Sequence, residues 1–447
     1  MEVRRLLVLA ITAIAAGCCA TGGAHEATMS QLKGLRVHLT HVDAHGNYSK
    51  QQLLQRAARR SHHRMSRLVA RTTGVAVSRK AAGGAADLQV PVHAGNGEFL
   101  MDMSVGTPAL AYSAIVDTGS DLVWTQCKPC VACFKQPTPV FDPSSSSTYA
   151  TVSCSSSFCG DLPASTCTSA SKCNYTYTYG DSSSTQGVLA TETLTLAKTK
   201  LPGVVFGCGD MNEGDGFSQS AGLVGLGRGP LSLVSQLGLE KFSYCLTSLD
   251  NTGKSPLILG YLADIHESSA AASSIQTTPL IKNPSQPSFY YVTLTGLTVG
   301  STRITLPSSV FAVQDDGTGG VIVDSGTSIT YLEVQGYRAL KKAFAAQMRL
   351  PVADGSAVGL DLCFQAPAKG VDQVEVPKLV FHFDGADLDL PAENYLVLDA
   401  GSGALCLTVM GSRGLSIIGN FQQQNFQFVY DVGHDTLSFA PVQCDKL

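Results

Sequence analysis

The sequence contains no hydrophobic run as long as the roughly 20 residues that a membrane-spanning helix needs. An apolar stretch over residues 6–16 is shorter than that, follows two arginines and precedes a series of small residues. This order is typical of a cleaved signal peptide, which we place at residues 1–24, with a membrane anchor as the weaker alternative. The C-terminal residues 444–447 form neither a hydrophobic lipid-anchor tail nor a retention signal. The sequence predicts a secreted protein of the extracellular space or apoplast, with the vacuole as an alternative, and no membrane anchor.

Histidine is absent near the most closely spaced cysteines, Cys127, Cys130 and Cys133. This spacing could bind zinc in an intracellular protein, but in an exported chain without a nearby histidine it favours oxidation. We therefore predict no metal site and no cofactor. Cys18 and Cys19 leave with the signal peptide, and the even number that remains predicts up to six disulfides. The 12 remaining cysteines are Cys127, Cys130, Cys133, Cys154, Cys159, Cys167, Cys173, Cys208, Cys245, Cys363, Cys406 and Cys444.

Positive charge is scarce in most of the chain. The chain has 31 Lys and Arg and 35 Asp and Glu. Residues 1–90 hold 13 of the basic and 4 of the acidic residues. Residues 91–447 therefore hold 18 basic and 31 acidic residues and carry a net charge of −13. An acidic body of this kind repels nucleic acid at neutral pH and loses much of its self-repulsion in acid. We predict no nucleic-acid partner.

Residues 25–90 form a basic segment without cysteine. A helix-compatible stretch runs from Lys50 to Ala70, and a stretch rich in Gly and Ala over residues 81–86 then separates it from the body, as in a processing site or linker. We predict that residues 25–90 form a segment separate from the body that is removed by processing, and a solvated basic helix that stays attached is the alternative. Its clustered arginines are Arg56, Arg59, Arg60, Arg64, Arg67 and Arg71.

From about Val90 onward the chain reads as short strands separated by turn residues. The 44 glycines and the long Ser and Thr runs favour many turns over helices. At 447 residues the chain exceeds the size at which one core stops growing, so two lobes are expected. The glycine run at 225–229 lacks the spacing of a nucleotide-binding loop, and we interpret it as strand and turn. Asn174 begins a glycosylation sequon and is a candidate glycan site.

One pattern occurs twice in this body. Its first feature is an apolar triplet followed by Asp, a hydroxyl residue, Gly and a second hydroxyl residue. Its second feature, about a hundred residues later, is a pair of apolar residues followed by Gly, at 223–225 and at 417–419. A strand that passes close to the Asp loop suits that second feature. The body is therefore predicted to consist of two related halves. The motif residues are Asp117, Thr118, Gly119 and Ser120 in the first half and Asp324, Ser325, Gly326 and Thr327 in the second.

Two such carboxylates suit the hydrolysis of an amide bond. Like charges about 3 Å apart cannot both ionise, so a pair shares one proton in acid and can act as base toward water and as acid toward the carbonyl. The glycines allow tight turns, and the hydroxyls supply hydrogen bonds to the carboxylates. That each Asp only caps a turn would explain one motif but explains the duplicated pair poorly.

On these motifs the chain from about residue 90 onward resembles the pepsin-like aspartic proteases, family A1. The resemblance implies a mainly β, bilobal double-ψ β-barrel fold with one catalytic Asp in each lobe, Asp117 and Asp324, and an extended peptide in the cleft between the lobes. It places the N-terminal lobe at 91–278, the C-terminal lobe at 279–447 and the flap near 179–187. The residues that it assigns to the flap and to substrate binding are Tyr179, Gly180, Asp181 and Trp124, with the Trp124 indole donating to Tyr179.

Within that family the cysteine-rich insertion 127–173 resembles the plant nepenthesin type, including nucellin-like and CDR-like enzymes. There is no room for the saposin-like insert of typical vacuolar members. The resemblance also implies that Cys363 pairs with Cys406 and leaves the other connectivities open. Family propeptides cover the cleft with positive charges, so residues 25–90 are expected to act as an intramolecular inhibitor that acid releases.

The sequence thus predicts a secreted, monomeric aspartic endopeptidase, made as a zymogen, that acts on polypeptide substrates in acid. The alternative is a catalytically silent relative that inhibits or binds cell-wall-degrading enzymes. Such relatives usually lose part of the catalytic apparatus, whereas both Asp loops and the flap pair are present here. A chloroplast DNA-binding protease conflicts with the export signal and the acidic body.

Overall fold

The computed structural model describes residues 34–44, 46–73, 99–179, 183–214, 217, 220–249, 251, 253–265, 274–367, 374–399 and 401–447. The predicted signal peptide and the Gly/Ala-rich stretch at 81–86 lie outside the described residues. Within the described part of the chain, no helix is both long enough and apolar enough to span a bilayer.

The basic segment before the body, called the leader below, forms one strand and one long helix, β1 (Leu35–His41) and α1 (Lys50–Thr73). Helix α1 begins with a reciprocal cap, because Ser49 Oγ accepts from the Gln52 N–H and Gln52 Oε1 accepts from the Ser49 N–H. The helix is amphipathic, and one face is buried against the body through Leu54, Ala57, Ala58, Met65 and Leu68.

The body is mainly β, as the sequence predicts. Strands of its first half are β2 (Phe99–Val105), β3 (Leu110–Asp117), β4 (Trp124–Gln126), β5 (Ala150–Thr151), β6 (Ser165–Cys167), β7 (Cys173–Thr178), β8 (Ser184–Leu196), β9 (Thr199–Glu213), β10 (Gly222–Gly225), β11 (Lys241–Cys245) and β12 (Ser255–Leu259). This half also holds the short helices α2 (Ser157–Gly160) and α3 (Leu233–Gln236).

The second half has the same character and one longer helix, α4 (Val334–Gln347). Its strands are β13 (Gln276–Ile281), β14 (Tyr291–Val292), β15 (Leu294–Val299), β16 (Thr302–Ile304), β17 (Val321–Val323), β18 (Thr330–Glu333), β19 (Val352–Ala353), β20 (Cys363–Gln365), β21 (Leu379–Phe383), β22 (Ala386–Leu390), β23 (Leu396–Asp399), β24 (Ala404–Leu407), β25 (Val409–Ser412), β26 (Ser416–Ile418), β27 (Phe426–Asp431) and β28 (Thr436–Pro441).

A sheet joins the two halves and includes the leader. Strand β11 pairs antiparallel with β27, which connects the halves directly. On one side β12 continues the sheet to β1, with Leu35 opposite Leu259, and β1 also pairs with β2. On the other side β28 continues it to β13. The leader strand is thus an integral strand of the sheet that supports both lobes.

The repeated sequence pattern forms the same local structure in each half. Strand β3, which ends at Asp117, pairs in parallel with β10, and Gly225 lies opposite Asp117. Strand β17, which precedes Asp324, pairs in parallel with β26, and Val323 lies opposite Ile418. The second element of each repeat is therefore the strand beside the Asp loop, as its two apolar residues and Gly suggested. The mainly β, two-lobed architecture predicted from the sequence is confirmed.

Six disulfides join all of the predicted cysteines. Cys363 pairs with Cys406 across β20 and β24, as the family resemblance implied. Most of the insertion 127–173 is closed internally, but one bond ties it to β9. The other pairs are Cys127 with Cys208, Cys130 with Cys133, Cys154 with Cys167, Cys159 with Cys173, and Cys245 with Cys444.

Candidate active site

The first Asp loop directs its hydrogen bonds onto one carboxylate. Asp117 is 3% exposed, and its Oδ1 accepts from the Gly119 N–H at 3.0 Å. Its Oδ2 accepts from the Ser120 hydroxyl at 2.6 Å. Because the loop turns back within three residues, backbone and side-chain donors reach both oxygens of the same group. The carboxylate is held in one orientation.

The second loop repeats this geometry. Asp324 is 1% exposed, its Oδ1 accepts from the Gly326 N–H at 3.0 Å, and its Oδ2 accepts from the Thr327 hydroxyl at 2.5 Å. The loops also contact each other, since the Ser325 N–H donates to Thr118 Oγ1 at 3.2 Å and the two hydroxyl oxygens lie 3.3 Å apart. The eight motif residues predicted from sequence are therefore gathered in one buried cluster.

One arginine of the leader lies between the two carboxylates. Arg64 Nη2 is 2.5 Å from Asp117 Oδ1 and 2.8 Å from Asp324 Oδ1, and Arg64 Nε is 2.6 Å from Asp324 Oδ2. Asp117 Oδ1 and Asp324 Oδ1 thus bond the same nitrogen, so these two oxygens are less than two hydrogen-bond lengths apart. The guanidinium occupies the space between two carboxylates that face each other, and the fork geometry of arginine suits such a bridge.

This contact governs the electrostatics of the site. Burial by itself would raise the pKa of Asp117, but the adjacent Arg64 cation and the hydrogen bonds from Ser120 and Gly119 outweigh it, and the pKa lies below its usual value. Burial alone would lower the pKa of Arg64, but the negative charges of Asp117 and Asp324 outweigh that effect. The pKa of Arg64 therefore lies above its usual value, and the guanidinium stays protonated. The leader therefore stabilises the ionised form of the Asp117 carboxyl.

Other leader side chains bind the same surface. Ser61 is fully buried, and its Oγ accepts from the backbone N–H groups of Ser328 and Ile329, each at 3.0 Å. The His62 ring packs edge-on against the Tyr331 ring at 5.8 Å. The hydroxyls of Ser328 and Tyr331 are buried there without a hydrogen-bond partner. Helix α1 thus covers backbone donors and hydroxyl groups next to Asp324.

The predicted flap pair is in contact. The Trp124 indole N–H donates to the Tyr179 hydroxyl at 2.7 Å, and Trp124 is fully buried, with Phe217 packed edge-on at 4.9 Å. Burial, together with the nearby Tyr177 and Asp117, raises the pKa of Tyr179 well above its usual value, so its hydroxyl remains protonated. Gly180 and Asp181, which the sequence also assigns to the flap, lie outside the described residues.

Two further features concern predictions made outside the Asp loops. Asn174 lies on β7 opposite Val188 of β8, and it is partly exposed. Among the described residues, no three His, Cys, Asp or Glu side chains are grouped so that they could hold a metal ion.

Sequence reasoning identified the arginine cluster but did not assign any arginine to the Asp pair. It also missed Ser61. The available signal was the helical periodicity of the leader, since Ala57, Ser61, Arg64 and Leu68 recur every three or four residues and so share one face. Sequence alone does not show how deeply that face is buried, so a buried arginine on it cannot be distinguished from an exposed one.

The two lobes and the paired Asp loops define the class of pepsin-like aspartic proteases, and comparison with known proteins agrees. A family model described as xylanase inhibitor N-terminal matches residues 99–261, and one described as xylanase inhibitor C-terminal matches residues 289–441. The chain belongs to the pepsin-like aspartic protease family, A1, among plant proteins of the nepenthesin and CDR type.

Particular relatives cover nearly the whole chain. It is 47% identical to aspartic proteinase nepenthesin-1 and 45% identical to aspartic proteinase nepenthesin-2, both of Nepenthes gracilis, and each match covers 94% of this chain and 92% of the relative. Among solved structures, the crystal structure of edgp matches with a TM-score of 0.64 at 20% identity, covering 78% of this chain and 92% of that one. That structural likeness concerns the fold alone.

Proposed function

We propose that this protein is a secreted acid endopeptidase that hydrolyses peptide bonds with a water molecule activated between Asp117 and Asp324. The observation that carries the proposal is the convergence of two buried, identically hydrogen-bonded carboxylates on one small space, which Arg64 fills in the precursor. Removing the guanidinium leaves two facing acids with room for a water. Like charges this close favour a single shared proton in acid.

The chemistry follows from that shared proton. The ionised carboxylate takes a proton from the water molecule while the water oxygen attacks the peptide carbonyl carbon. At the same time the protonated carboxyl donates its proton to the carbonyl oxygen. In the resulting tetrahedral diol, the carboxyl that took the proton from water donates it to the amide nitrogen as the C–N bond breaks, and the other carboxylate takes a proton from a diol hydroxyl as the new carboxylic acid forms. The pair is again singly protonated, with the proton on the carboxyl that held it at the start. Gly119, Ser120, Gly326 and Thr327 hold both carboxylates in place, so little reorganisation is needed during the reaction.

The backbone donors under the leader support an extended peptide as the substrate. The N–H groups of Ser328 and Ile329, which bond Ser61 in the precursor, would be available to a substrate carbonyl once α1 has left. In the first half of the body, the proposed flap residue Tyr179 is oriented by Trp124. A peptide held between these two elements would place its scissile bond over the dyad.

The leader is proposed to be an inhibitory propeptide. It blocks the dyad with Arg64, covers the adjacent surface with the apolar face of α1, and supplies β1 to the sheet that connects the lobes. Acid protonates Asp117 and weakens the ion pair, so release is expected at low pH. Secretion as a glycosylated monomer, with Asn174 carrying the glycan, completes the proposal.

Digestion of an unfolded protein at about pH 3, with and without the aspartic protease inhibitor pepstatin, tests this function. We expect cleavage by the acid-treated wild type and its loss with the inhibitor. Asp117→Asn and Asp324→Asn should each lower the rate by about 100-fold or more, because neither can share a proton. Asp315→Asn, at an exposed position of the same lobe as Asp324, is the matched control and should cleave normally. Wild-type protein without pepstatin-sensitive cleavage would contradict the proposal.

The alternative is a silent relative that binds cell-wall-degrading enzymes. The observation in its favour is that both matching family models are described as xylanase inhibitors. It predicts no peptide cleavage under any acidic condition, together with inhibition of a xylanase by the purified protein. The same Asp117→Asn variant separates the two functions, because it should leave such inhibition unchanged.

A further inference from the structure

A glycine run next to the first Asp loop has no role in the chemistry described so far. Strand β10 ends at Gly225, and the chain then passes the loop through Leu226 and Gly227. The Leu226 N–H donates to the Asp117 carbonyl and the Gly227 N–H donates to the Ser120 carbonyl, each at 2.8 Å. The run is therefore laid directly against the backbone of the catalytic loop.

The glycines allow this run to pack around one side chain, Asp121. A Cβ atom on Gly225 would lie 2.3 Å from the backbone carbonyl carbon of Asp121, and one on Gly227 or Gly229 would lie 2.3 Å from a carboxylate oxygen of Asp121. Real Cβ atoms do not come so close, so no residue with a side chain fits at these positions without a shift. The Gly229 N–H donates to Asp121 Oδ1 at 2.8 Å. The repeated glycines thus form a close-fitting cradle for a carboxylate.

The other oxygen of Asp121 bonds to the opposite lobe. Asp121 Oδ2 accepts from the hydroxyl of Ser288, which is 4% exposed, and the Ser288 carbonyl accepts from the Arg228 N–H at 3.0 Å. Ser288 lies only a few residues before β14. The Tyr290 carbonyl accepts from the Val323 N–H at 3.1 Å, and Tyr291 of β14 lies opposite Ile322 of β17. Val323 immediately precedes Asp324. A short backbone path through Tyr290 and Val323 therefore connects Ser288 to the second proposed catalytic residue.

We propose that Asp121 is a positioning residue that, through Ser288, fixes the spacing between the two catalytic loops. The Thr118–Ser325 contact is one link between the loops, and a single link still permits rotation about it. The link from Asp121 to Ser288 is a second one, three residues further along the first loop than Thr118, and the Tyr290 hydroxyl reinforces it by donating to the Leu226 carbonyl at 2.7 Å. Two separated links determine both the distance and the orientation of the carboxylates.

This inference rests on the proposed function, because spacing matters when the carboxylates share a proton. Their repulsion falls as they move apart, so the two apparent pKa values of the pair should approach each other. Rates are also sensitive to misplacement, and a shift of about 1 Å can cost about 100-fold. Weakening the link should therefore change kcat and its pH dependence while leaving peptide binding largely intact.

The test compares Ser288→Ala and Asp121→Asn with a matched pair, Ser113→Ala and Asp102→Asn, whose Ser-to-Asp hydrogen bond lies at an exposed site on the same lobe. We expect Ser288→Ala to lower kcat by about tenfold or more with KM changed less than about twofold. The two limbs of its kcat–pH profile should move closer together. The double variant Asp121→Asn/Ser288→Ala should lose little more than the worse single variant, because both changes break one link.

Asp121→Asn is the milder variant, since its amide oxygen still accepts from the Gly229 N–H, and it serves if Ser288→Ala does not fold. The inference would be overturned, and the proposed function left intact, if Ser288→Ala had the same kcat as the control pair and the same separation between the two limbs of its kcat–pH profile. If the wild type cleaves nothing, the proposed function fails, and crystal structures decide the inference. The distance between Asp117 Oδ1 and Asp324 Oδ1 should lengthen in Ser288→Ala relative to the wild type, and an unchanged distance would overturn it.

Discussion

Arg64 of the leader helix lies 2.5 Å from Asp117 at the point where the two halves of the body meet. The same guanidinium bonds both oxygens of Asp324. A residue 53 positions upstream of Asp117 in sequence thus bridges the two carboxylates of the proposed dyad.

Replacing the bridging arginine should open the precursor. Arg64→Ala removes the cation that competes for the space between the carboxylates, so pepstatin should bind the unprocessed protein at least about tenfold more tightly. Calorimetric titration of the precursor at a pH where it remains intact measures this affinity. Arg59→Ala, an exposed arginine on the same helix, is the matched control and should bind like the wild type. Equal affinities for both variants would show that Arg64 does not block the site.

Acid should release the leader within a defined pH range. Arg64 lowers the pKa of Asp117 while the leader is bound, so the ion pair stabilises the bound leader fully above the unperturbed carboxyl pKa of about 4, and this stabilisation is lost as the pH falls through the lowered value. Mass spectrometry of purified precursor incubated between pH 2 and pH 7 follows the conversion, and we expect a shortened species that begins near residues 85–92. A mass that stays constant after long incubation in acid would count against self-activation.

A second acidic residue should set how firmly the leader is held. Asp43 is 2% exposed, and its carboxylate lies 2.7 Å from Arg56 Nη2 and 2.8 Å from Arg60 Nη1, which ties the turn after β1 to helix α1. Asp43→Asn leaves two largely buried arginines without their anion, so conversion should begin at a higher pH. Asp264→Asn, which disrupts an exposed pair with Lys241, should not shift it. Identical conversion curves would exclude this role for Asp43.

Much of this arrangement could be predicted from the sequence because it depends on local patterns. The duplicated motif located both Asp loops, and the two apolar residues and Gly at 223–225 and 417–419 indicated the strands beside them. The short strand-like segments, the glycines and the Ser and Thr runs indicate the mainly β fold. Trp124 and Tyr179 came from the family resemblance, and the structure places them in hydrogen-bond contact.

The remainder depends on contacts between distant parts of the chain. The pairing of Cys245 with Cys444 spans 199 residues, and no spacing rule specifies it. Arg64 and Arg59 look alike in sequence, and only the packing of α1 decides which one is buried. The glycine run at 225–229 indicates only strand and turn in sequence, because no local pattern shows that its glycines pack around the distant Asp121.

Loss of the indole donor should reduce turnover. Trp124→Phe keeps an aromatic ring but removes the hydrogen bond to Tyr179, which is expected to cost up to about 1.5 kcal/mol and thus up to about tenfold in kcat/KM. Tyr179→Phe should have a similar effect, and the two changes together should not add. Tyr261→Phe, at an exposed tyrosine, provides the control. Steady-state kinetics on a single peptide measures all four, and fully additive losses would show that the hydrogen bond is not what orients the ring.

The pH dependence of kcat for the processed protein tests the central claim most directly. Two carboxylates that share one proton are active only between their two apparent pKa values, so the account predicts a bell-shaped profile confined to acid. Asp117→Asn and Asp324→Asn should each abolish the bell. Activity that continues to rise toward neutral pH, or that persists in either variant, would contradict the account.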